Sequence, residues 1–261
     1  MRRSICLPVA AVAWAACWMA GCQQPQRLVD PLPDPPMGAL LPAARAPVSM
    51  ASRTVVVRGP LSTSPRPNYA HQPAQSARPA TGYRVVLDPG HGGRDPGAIS
   101  VIGMYEKQIN LVVATEAARL LKRRGIDVWL TRGTDVYLTL EQRAAIANQR
   151  RAHLFVSVHA DSAVNRSARG FTVYIARRAS SESHRAAGAV ERAMRTTGMG
   201  SRKIRKADYR VLVQTRCPAI LVELGYLSNH REAALLAQPH FQKRLAEAVA
   251  QGICGYLGVR W

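Results

Sequence analysis

The chain has 261 residues, of which 47% are hydrophobic, and it carries a formal net charge of +20 at pH 7. Its length allows one or two ordinary domains, and the hydrophobic fraction suffices for a packed core, which excludes a chain that is disordered throughout. The charge predicts an anionic neighbour, namely nucleic acid, a membrane surface or an anionic polymer such as cell wall.

Residues 1–22 have the features of an export signal. Two arginines precede an apolar run from about Ile5 to Ala20, which is shorter than the roughly 20 residues of a membrane-spanning helix. The segment ends in Met19-Ala20-Gly21-Cys22 and resembles a bacterial lipobox, whose cysteine is lipidated and becomes the mature N-terminus. A plain cleaved signal with an incidental cysteine is the alternative. Export argues against nucleic acid as a partner, and the lipobox predicts a membrane-anchored lipoprotein of the cell envelope, facing the periplasm or the wall.

Residues 23–80 contain 12 of the 17 prolines, together with alanine, serine and arginine, and show little apolar periodicity. This composition predicts a flexible tether without a core of its own. The chain therefore divides into a signal with its lipobox at 1–22, a proline-rich linker at 23–80 and a folded domain at 81–261.

The folded domain begins where short apolar runs start to alternate with amphipathic stretches. This alternation predicts a single three-layer α/β domain with a mostly parallel twisted sheet flanked by helices. The predicted strands are Arg84–Leu87, Asp127–Leu130, Leu154–Val158, Phe171–Ile175 and Ala219–Val222. The predicted helices are Lys107–Arg124, Leu140–Gln149, Ser181–Thr196 and Phe241–Leu257.

Only two cysteines, Cys217 and Cys254, belong to this domain. Two cysteines form no disulfide framework. They can pair in an oxidising compartment or be two separate buried small hydrophobic residues, and the sequence is compatible with both.

Three of the predicted strands run into residues that can bind metal or move protons. The first leads through Asp88 and a glycine-rich turn to His91, the third leads directly to His159, and the last leads to Glu223. In open α/β sheets, ligands bind beyond the carboxyl ends of the strands, so we expect these side chains to converge.

Each candidate also has an ordinary explanation when it is taken alone. His91 can be a loop histidine, Glu106 can simply face the positive end of the helix that it begins, and His159 can be a core histidine with one hydrogen bond. Taken together, two histidines and one glutamate form a recognised catalytic zinc set that leaves a fourth position for water. Glu223 is then the best candidate for the acid/base beside the metal, because an unpaired charge after an apolar strand is costly without a role.

The motifs of the domain resemble those of a known family along nearly its whole length, from about Tyr83 to Leu257. The matching blocks are Leu87-Asp88-Pro89-Gly90-His91-Gly92-Gly93, Glu106 with Asn110-Leu111, Leu130-Thr131-Arg132 with Asp135, Leu140-Glu141-Gln142-Arg143 with Ala147-Asn148, Ser157-Val158-His159-Ala160-Asp161, and Cys217 to Asn229. In this order they resemble the zinc-dependent N-acetylmuramoyl-L-alanine amidases of the bacterial cell wall (amidase type 3).

The resemblance implies that His91, Glu106 and His159 hold Zn²⁺ and that Glu223 is the catalytic glutamate. The bond cut in such enzymes joins the lactyl carbonyl of N-acetylmuramic acid to the L-alanine of the peptidoglycan stem peptide. We further expect that Asp88 orients His91 as a hydrogen-bond acceptor, and that Arg132 and Asn148 are structural or contact substrate.

Some members of this family carry an inserted helix that blocks the site until a partner protein removes it. Here the interval from Ala160 to Val222 is nearly filled by one strand, one helix and the basic stretch Arg202–Lys206, so we expect no need for an activator protein. The basic stretch either faces anionic wall polymer or is a solvated loop. The alternative functions are an envelope zinc peptidase or deacetylase of other specificity, and a non-catalytic peptidoglycan-binding lipoprotein.

Overall fold

A computed structural model describes residues 81–261. The predicted signal at 1–22, Cys22 and the predicted linker at 23–80 lie outside the described residues. The strands are β1 (Arg84–Pro89), β2 (Asp127–Leu130), β3 (Leu154–Asp161), β4 (Phe171–Ile175), β5 (Ser201–Lys206) and β6 (Ala219–Tyr226). The helices are α1 (Glu106–Arg123), α2 (Leu140–Gln149), α3 (Ser181–Met194), α4 (Arg210–Gln214), α5 (His230–Leu236) and α6 (Pro239–Leu257), and a 3₁₀ turn at Arg195–Thr197 follows α3.

The six strands form one sheet in the order β2-β1-β3-β6-β4-β5. Strands β1, β2, β3 and β6 are parallel to one another, whereas β4 pairs antiparallel with β6 and β5 runs parallel to β4. The predicted α/β domain with a mostly parallel sheet is therefore confirmed.

The predicted elements are all present, and three further ones were not predicted. Strands β1, β3 and β6 extend past their predicted ends, because they continue through the polar residues that sequence reasoning placed after the strands. The basic stretch forms the edge strand β5, whose exposed Lys203–Lys206 side chains give no apolar alternation. Helices α4 and α5 have only 5 and 7 residues, too few to show a helical period.

Helices α1, α3 and α6 pack together against one face of the sheet and share the larger core with it. Helices α2 and α4 cover the other face, where a smaller core contains Val86, Phe155 and Leu221. Further along the same strands and on this same face, every second residue becomes polar, as in Ser157 and His159. The apolar core under α2 and α4 therefore gives way to polar side chains toward the carboxyl ends of β1, β3 and β6.

A buried carboxylate links helix α2 to the sheet. Asp88 is fully buried in β1 and accepts hydrogen bonds from Thr131 Oγ1 (2.6 Å), Ser157 Oγ (2.7 Å) and Arg143 Nη1 (2.8 Å). Arg143 comes from α2 and also donates to the carbonyls of Pro89 and His91, at 2.8 Å each. This ion pair and its hydrogen bonds thus join β1, β3, the loop after β1 and α2.

No helix among residues 81–261 is both long enough and apolar enough to cross a membrane. Cys217 and Cys254 are both free thiols, the first half-buried and the second buried. The two cysteines are therefore separate and do not form a disulfide bond. Burial raises the pKa of the Cys217 thiol to about 11.

We predict that Asp88→Asn destabilises the domain by about 3–5 kcal/mol, because it leaves the Arg143 guanidinium buried without a counter-charge. Urea unfolding of the purified chain measures the free energy of unfolding. The control is Glu141→Gln, which breaks a solvent-exposed ion pair with Arg210 and should leave the free energy of unfolding nearly unchanged. Similar losses in both variants would contradict the structural role of Asp88.

Candidate metal centre

His91 lies in the loop after β1 and is aimed by a tight reversal of that loop. Gly92 and Asp95 exchange backbone hydrogen bonds of 2.9 and 3.1 Å, and His91 itself has a left-handed φ of 60°. The reversal brings the Asp95 carboxylate to 2.8 Å from His91 Nδ1. This contact leaves Nε2 as the ring nitrogen that faces the inside of the site.

Glu106 is the first residue of α1, as predicted, and its carboxylate is 4% exposed. Its two oxygens accept hydrogen bonds from the backbone N–H groups of Ala98 (2.9 Å) and Ala160 (3.1 Å) and from Asn110 Nδ2 (3.1 Å). Gly97 leaves room for it, because a Cβ at that position would lie 2.5 Å from Glu106 Oε2. The carboxylate is therefore fixed by α1, by the loop after β1 and by β3 together.

His159 lies within β3, and its ring packs over the start of the loop after β1. A Cβ on Gly90 would lie 2.1 Å from His159 Cε1, so only glycine allows this approach. The glycine before His91 thus makes room for the other histidine.

The two histidines meet on opposite oxygens of the Glu106 carboxylate. Glu106 Oε1 is 2.9 Å from His159 Nδ1, and Oε2 is 3.1 Å from His91 Nε2. One ligand atom from each of these residues lies within 4.8 Å of the others. Zinc ligands at about 2.0–2.2 Å in a tetrahedral arrangement are separated by roughly 3.3–3.6 Å, so the donor types suit zinc and small side-chain movements away from the hydrogen-bonded positions would give its spacing.

The electrostatics of the cluster also favour a cation. Burial lowers the pKa of His91, but hydrogen bonds to Asp95 and Glu106 outweigh it and raise this pKa to about 10. Burial raises the pKa of Glu106, but its hydrogen bonds to His159 and His91 hold it well below its usual range. The carboxylates of Asp95 and Glu106 therefore stabilise positive charge at this point, whether a proton or a metal ion carries it.

Glu223 lies beside this cluster in the middle of β6. It is in register with His159 on the neighbouring parallel strand, so both side chains project from the same face of the sheet. Burial, followed by the carboxylates of Glu106 and Asp161, raises the pKa of Glu223 well above its usual range. Among the described residues, Glu223 Oε2 is one of the few buried polar atoms without a hydrogen-bond partner, and so is the hydroxyl of Thr172, which stands opposite Glu223 on β4.

The structure thus brings together the four predicted site residues, whose roles remain predictions. The expectation that Asp88 orients His91 was wrong, because Asp88 points into the sheet face toward α2 while Asp95 contacts the imidazole. Arg132 is buried and donates to the carbonyls of Pro89, Gly90 and Lys107, so it is structural.

Asn148 is structural as well, because it bonds the backbone of Gln214 and Arg216 between α4 and β6. Sequence reasoning missed Asp95, although a carboxylate four residues after His91 was a usable signal. It also missed Thr172, which no motif indicates, because its place opposite Glu223 depends on the antiparallel register of β4.

The comparisons with known proteins agree over the whole domain. Residues 85–255 match the family model described as N-acetylmuramoyl-L-alanine amidase. The amidase AmiC of Neisseria meningitidis is 34% identical over an alignment that covers 70% of this chain and 55% of that protein.

Solved structures of amidases have the same fold as this domain. The catalytic domain of CwlV, an N-acetylmuramoyl-L-alanine amidase from Bacillus (Paenibacillus) polymyxa var. colistinus, is 38% identical with a TM-score of 0.65, covering 68% of this chain and 99% of that one. An N-acetylmuramoyl-L-alanine amidase from Clostridium difficile 630 is 32% identical with a TM-score of 0.67, covering 70% of this chain and all of that one. The chain belongs to the N-acetylmuramoyl-L-alanine amidase family.

Proposed function

We propose that the chain hydrolyses the amide bond between N-acetylmuramic acid and L-alanine in bacterial peptidoglycan, with Zn²⁺ held by His91, Glu106 and His159 and with Glu223 as acid/base. The observation that carries this proposal is the convergence of the three ligand atoms within 4.8 Å, beside a buried carboxyl group that is not one of them. Family membership supplies the substrate class, and the site supplies the chemistry that an unactivated amide requires.

An amide needs a polarised carbonyl, an activated water and a proton for the departing amine. Zinc held by two histidines and a carboxylate supplies the Lewis acid and lowers the pKa of water at the site. Glu223 Oε2 has no competing hydrogen bond among the described residues and is free to accept the proton of the attacking water. Burial raises the pKa of Glu223, which suits a group that takes up this proton and then gives it to the departing amine nitrogen.

Asp95 holds the imidazole of His91 with Nε2 directed at the metal position, and Glu106 keeps its orientation through three hydrogen bonds from neighbouring elements. The side chains of His91 and His159 are 25% and 18% exposed, so a polymeric substrate can reach the centre from solvent.

We predict that Glu223→Gln lowers the turnover of purified peptidoglycan at least about 100-fold while zinc stays bound, because the substitution removes the proton acceptor and no ligand. His159→Ala, the matched ligand variant, should lose the metal as well. Metal content and released soluble fragments are measured on the same samples. Full activity of Glu223→Gln would contradict the mechanism, and fragments without a new L-alanine amino terminus would indicate a peptidase or deacetylase instead.

We predict that Asp95→Ala weakens zinc binding about 10–100-fold, because the His91 imidazole loses the carboxylate that orients it and raises its basicity. The control is Asp135→Ala, which removes an exposed carboxylate that bonds Lys107 and the backbone of Gly93 but not a histidine. Competition with a chromophoric chelator gives both affinities. Equal affinities would show that Asp95 does not support the metal site.

We also propose the arrangement of the rest of the chain: an export signal at 1–22, a lipid anchor on Cys22, a linker over 23–80, and a catalytic domain from residue 81 that works in the cell envelope. The proposal rests on the lipobox-like ending Met19–Cys22 and on the proline content of the linker.

Cys22→Ser should abolish incorporation of labelled fatty acid and release the protein from the membrane fraction. Mass spectrometry of the mature N-terminus of the unsubstituted chain gives the decisive comparison. An unmodified N-terminus that begins elsewhere would contradict the anchor and favour a plain cleaved signal.

The absence of a required activator is a further proposal, supported by the exposure of the two histidines. We expect the purified, zinc-loaded mature chain to digest peptidoglycan by itself. Negligible turnover that an added partner protein restores would contradict this expectation.

A further inference from the structure

The end of the sheet opposite the metal centre forms a continuous surface, which we call the amino-edge surface. It contains the residues before β1, β2, β3 and β6 and those after β4 and β5, because the latter two strands run in the reverse direction. Backbone hydrogen bonds join these segments, for example Thr81 to Gly125 (3.2 Å) and His153 to Arg84 (2.7 Å). The carboxyl ends of α1, α2 and α6 and the start of α3 complete it.

This surface concentrates the positive charge of the domain. Its twelve cations are Arg84, Lys122, Arg123, Arg124, Arg150, Arg151, Arg177, Arg178, Arg185, Lys206, Arg216 and Arg260. The same segments carry three side-chain carboxylates, those of Asp127, Glu182 and Asp208, and Glu247 of α6 lines a cavity together with Arg123 and Arg124. The remainder of residues 81–261 has sixteen lysines and arginines against eleven carboxylates, so most of the net charge lies on this one edge.

The cations of this surface are also mostly free of ion pairs. Within the described part of the chain, only Arg177 and Arg185 lie within 4.0 Å of a carboxylate oxygen, that of Asp208 and of Glu182 respectively. All twelve except the half-buried Arg84 are exposed. Like charges gathered in this way repel one another, and an anionic partner removes that cost.

Two exposed tryptophans accompany these cations. The Arg150 guanidinium lies 3.4 Å from the centre of the Trp129 ring, and that of Arg124 lies 5.0 Å from the Trp261 ring. The two indoles are 37% and 38% exposed. Tryptophan and arginine side by side are typical of protein surfaces that lie at the headgroup level of a bilayer.

The first described residue, Thr81, lies on this same surface. It is hydrogen-bonded to Gly125 between the starts of β1 and β2, whereas His91, His159 and Glu223 lie at the opposite ends of the strands. The point where the proposed linker is attached to the domain is therefore on its most basic side.

We propose that the amino-edge surface docks on the anionic phospholipid headgroups of the membrane and holds the catalytic edge away from the bilayer, toward the wall. The orientation rests on the proposed lipid anchor and amidase function, whereas the binding surface itself does not. A bilayer fits better than an anionic wall polymer, because a polymer bound on this side would not be presented to the catalytic edge, whereas tryptophan beside arginine suits a headgroup layer.

The test uses the mature chain from residue 22 with Cys22→Ser, so that no acyl group contributes to binding. One variant replaces Lys122, Arg123, Arg178 and Arg216 by glutamine. A matched control replaces Arg166, Arg192, Arg231 and Lys243, which are also exposed but lie elsewhere, so both variants have the same net charge. Co-sedimentation is measured with vesicles of phosphatidylcholine alone and of phosphatidylcholine with phosphatidylglycerol in a ratio of three to one.

We expect binding to the anionic vesicles only, with at least a tenfold loss of affinity in the amino-edge variant and less than a threefold loss in the control. High salt should abolish binding in all cases. Equal losses in the two variants would overturn the proposal in favour of diffuse attraction. If the amino-edge variant lost binding to peptidoglycan sacculi but bound vesicles as before, the surface would instead be a wall-binding surface. Turnover of soluble muropeptides should be the same in both variants, so failure of the docking proposal and failure of the amidase proposal are separable.

Discussion

The Glu106 carboxylate lies at the junction of three segments that are distant in sequence, and its five polar contacts set the geometry of the whole centre. Two of these contacts are the histidines, and the other three come from the loop after β1, from α1 and from β3. A buried carboxylate with so many donors stays ionised, so the site carries a fixed negative charge that only a proton or a metal ion can balance. The rest of the fold can be understood as the support of this one group.

The helices on both faces of the sheet help to hold the Glu106 carboxylate and the histidines in place. The larger core positions α1 so that its first turn reaches the carboxyl ends of the strands, and the helix N-terminus favours the carboxylate there. On the other face, the pair of Asp88 and Arg143 anchors α2 and the start of the loop that carries His91. The centre is thus built on the sheet, and the side chains of His91 and His159 remain partly exposed to solvent.

Much of this arrangement follows from the sequence, because apolar runs define the buried parallel strands and the polar residues at their carboxyl ends share one edge. His91, Glu106, His159 and Glu223 are each ambiguous alone and become a site only through that topology. The contacts that depend on the detailed course of the backbone could not be predicted from the sequence. Asp95 reaches His91 through a loop reversal, Asp88 turns instead toward α2, and the basic β5 lacks any apolar alternation.

The central claim is that two histidines and one carboxylate of this domain hold a zinc ion. X-ray absorption at the zinc edge of the purified mature chain tests it most directly, since imidazole nitrogen, carboxylate oxygen and sulfur scatter differently. We expect one zinc per chain with two imidazole ligands and otherwise only oxygen, at distances of about 2.0–2.2 Å. Sulfur scattering at about 2.3 Å, which would place the metal on Cys217 or Cys254, or a chain that binds no zinc, would contradict it.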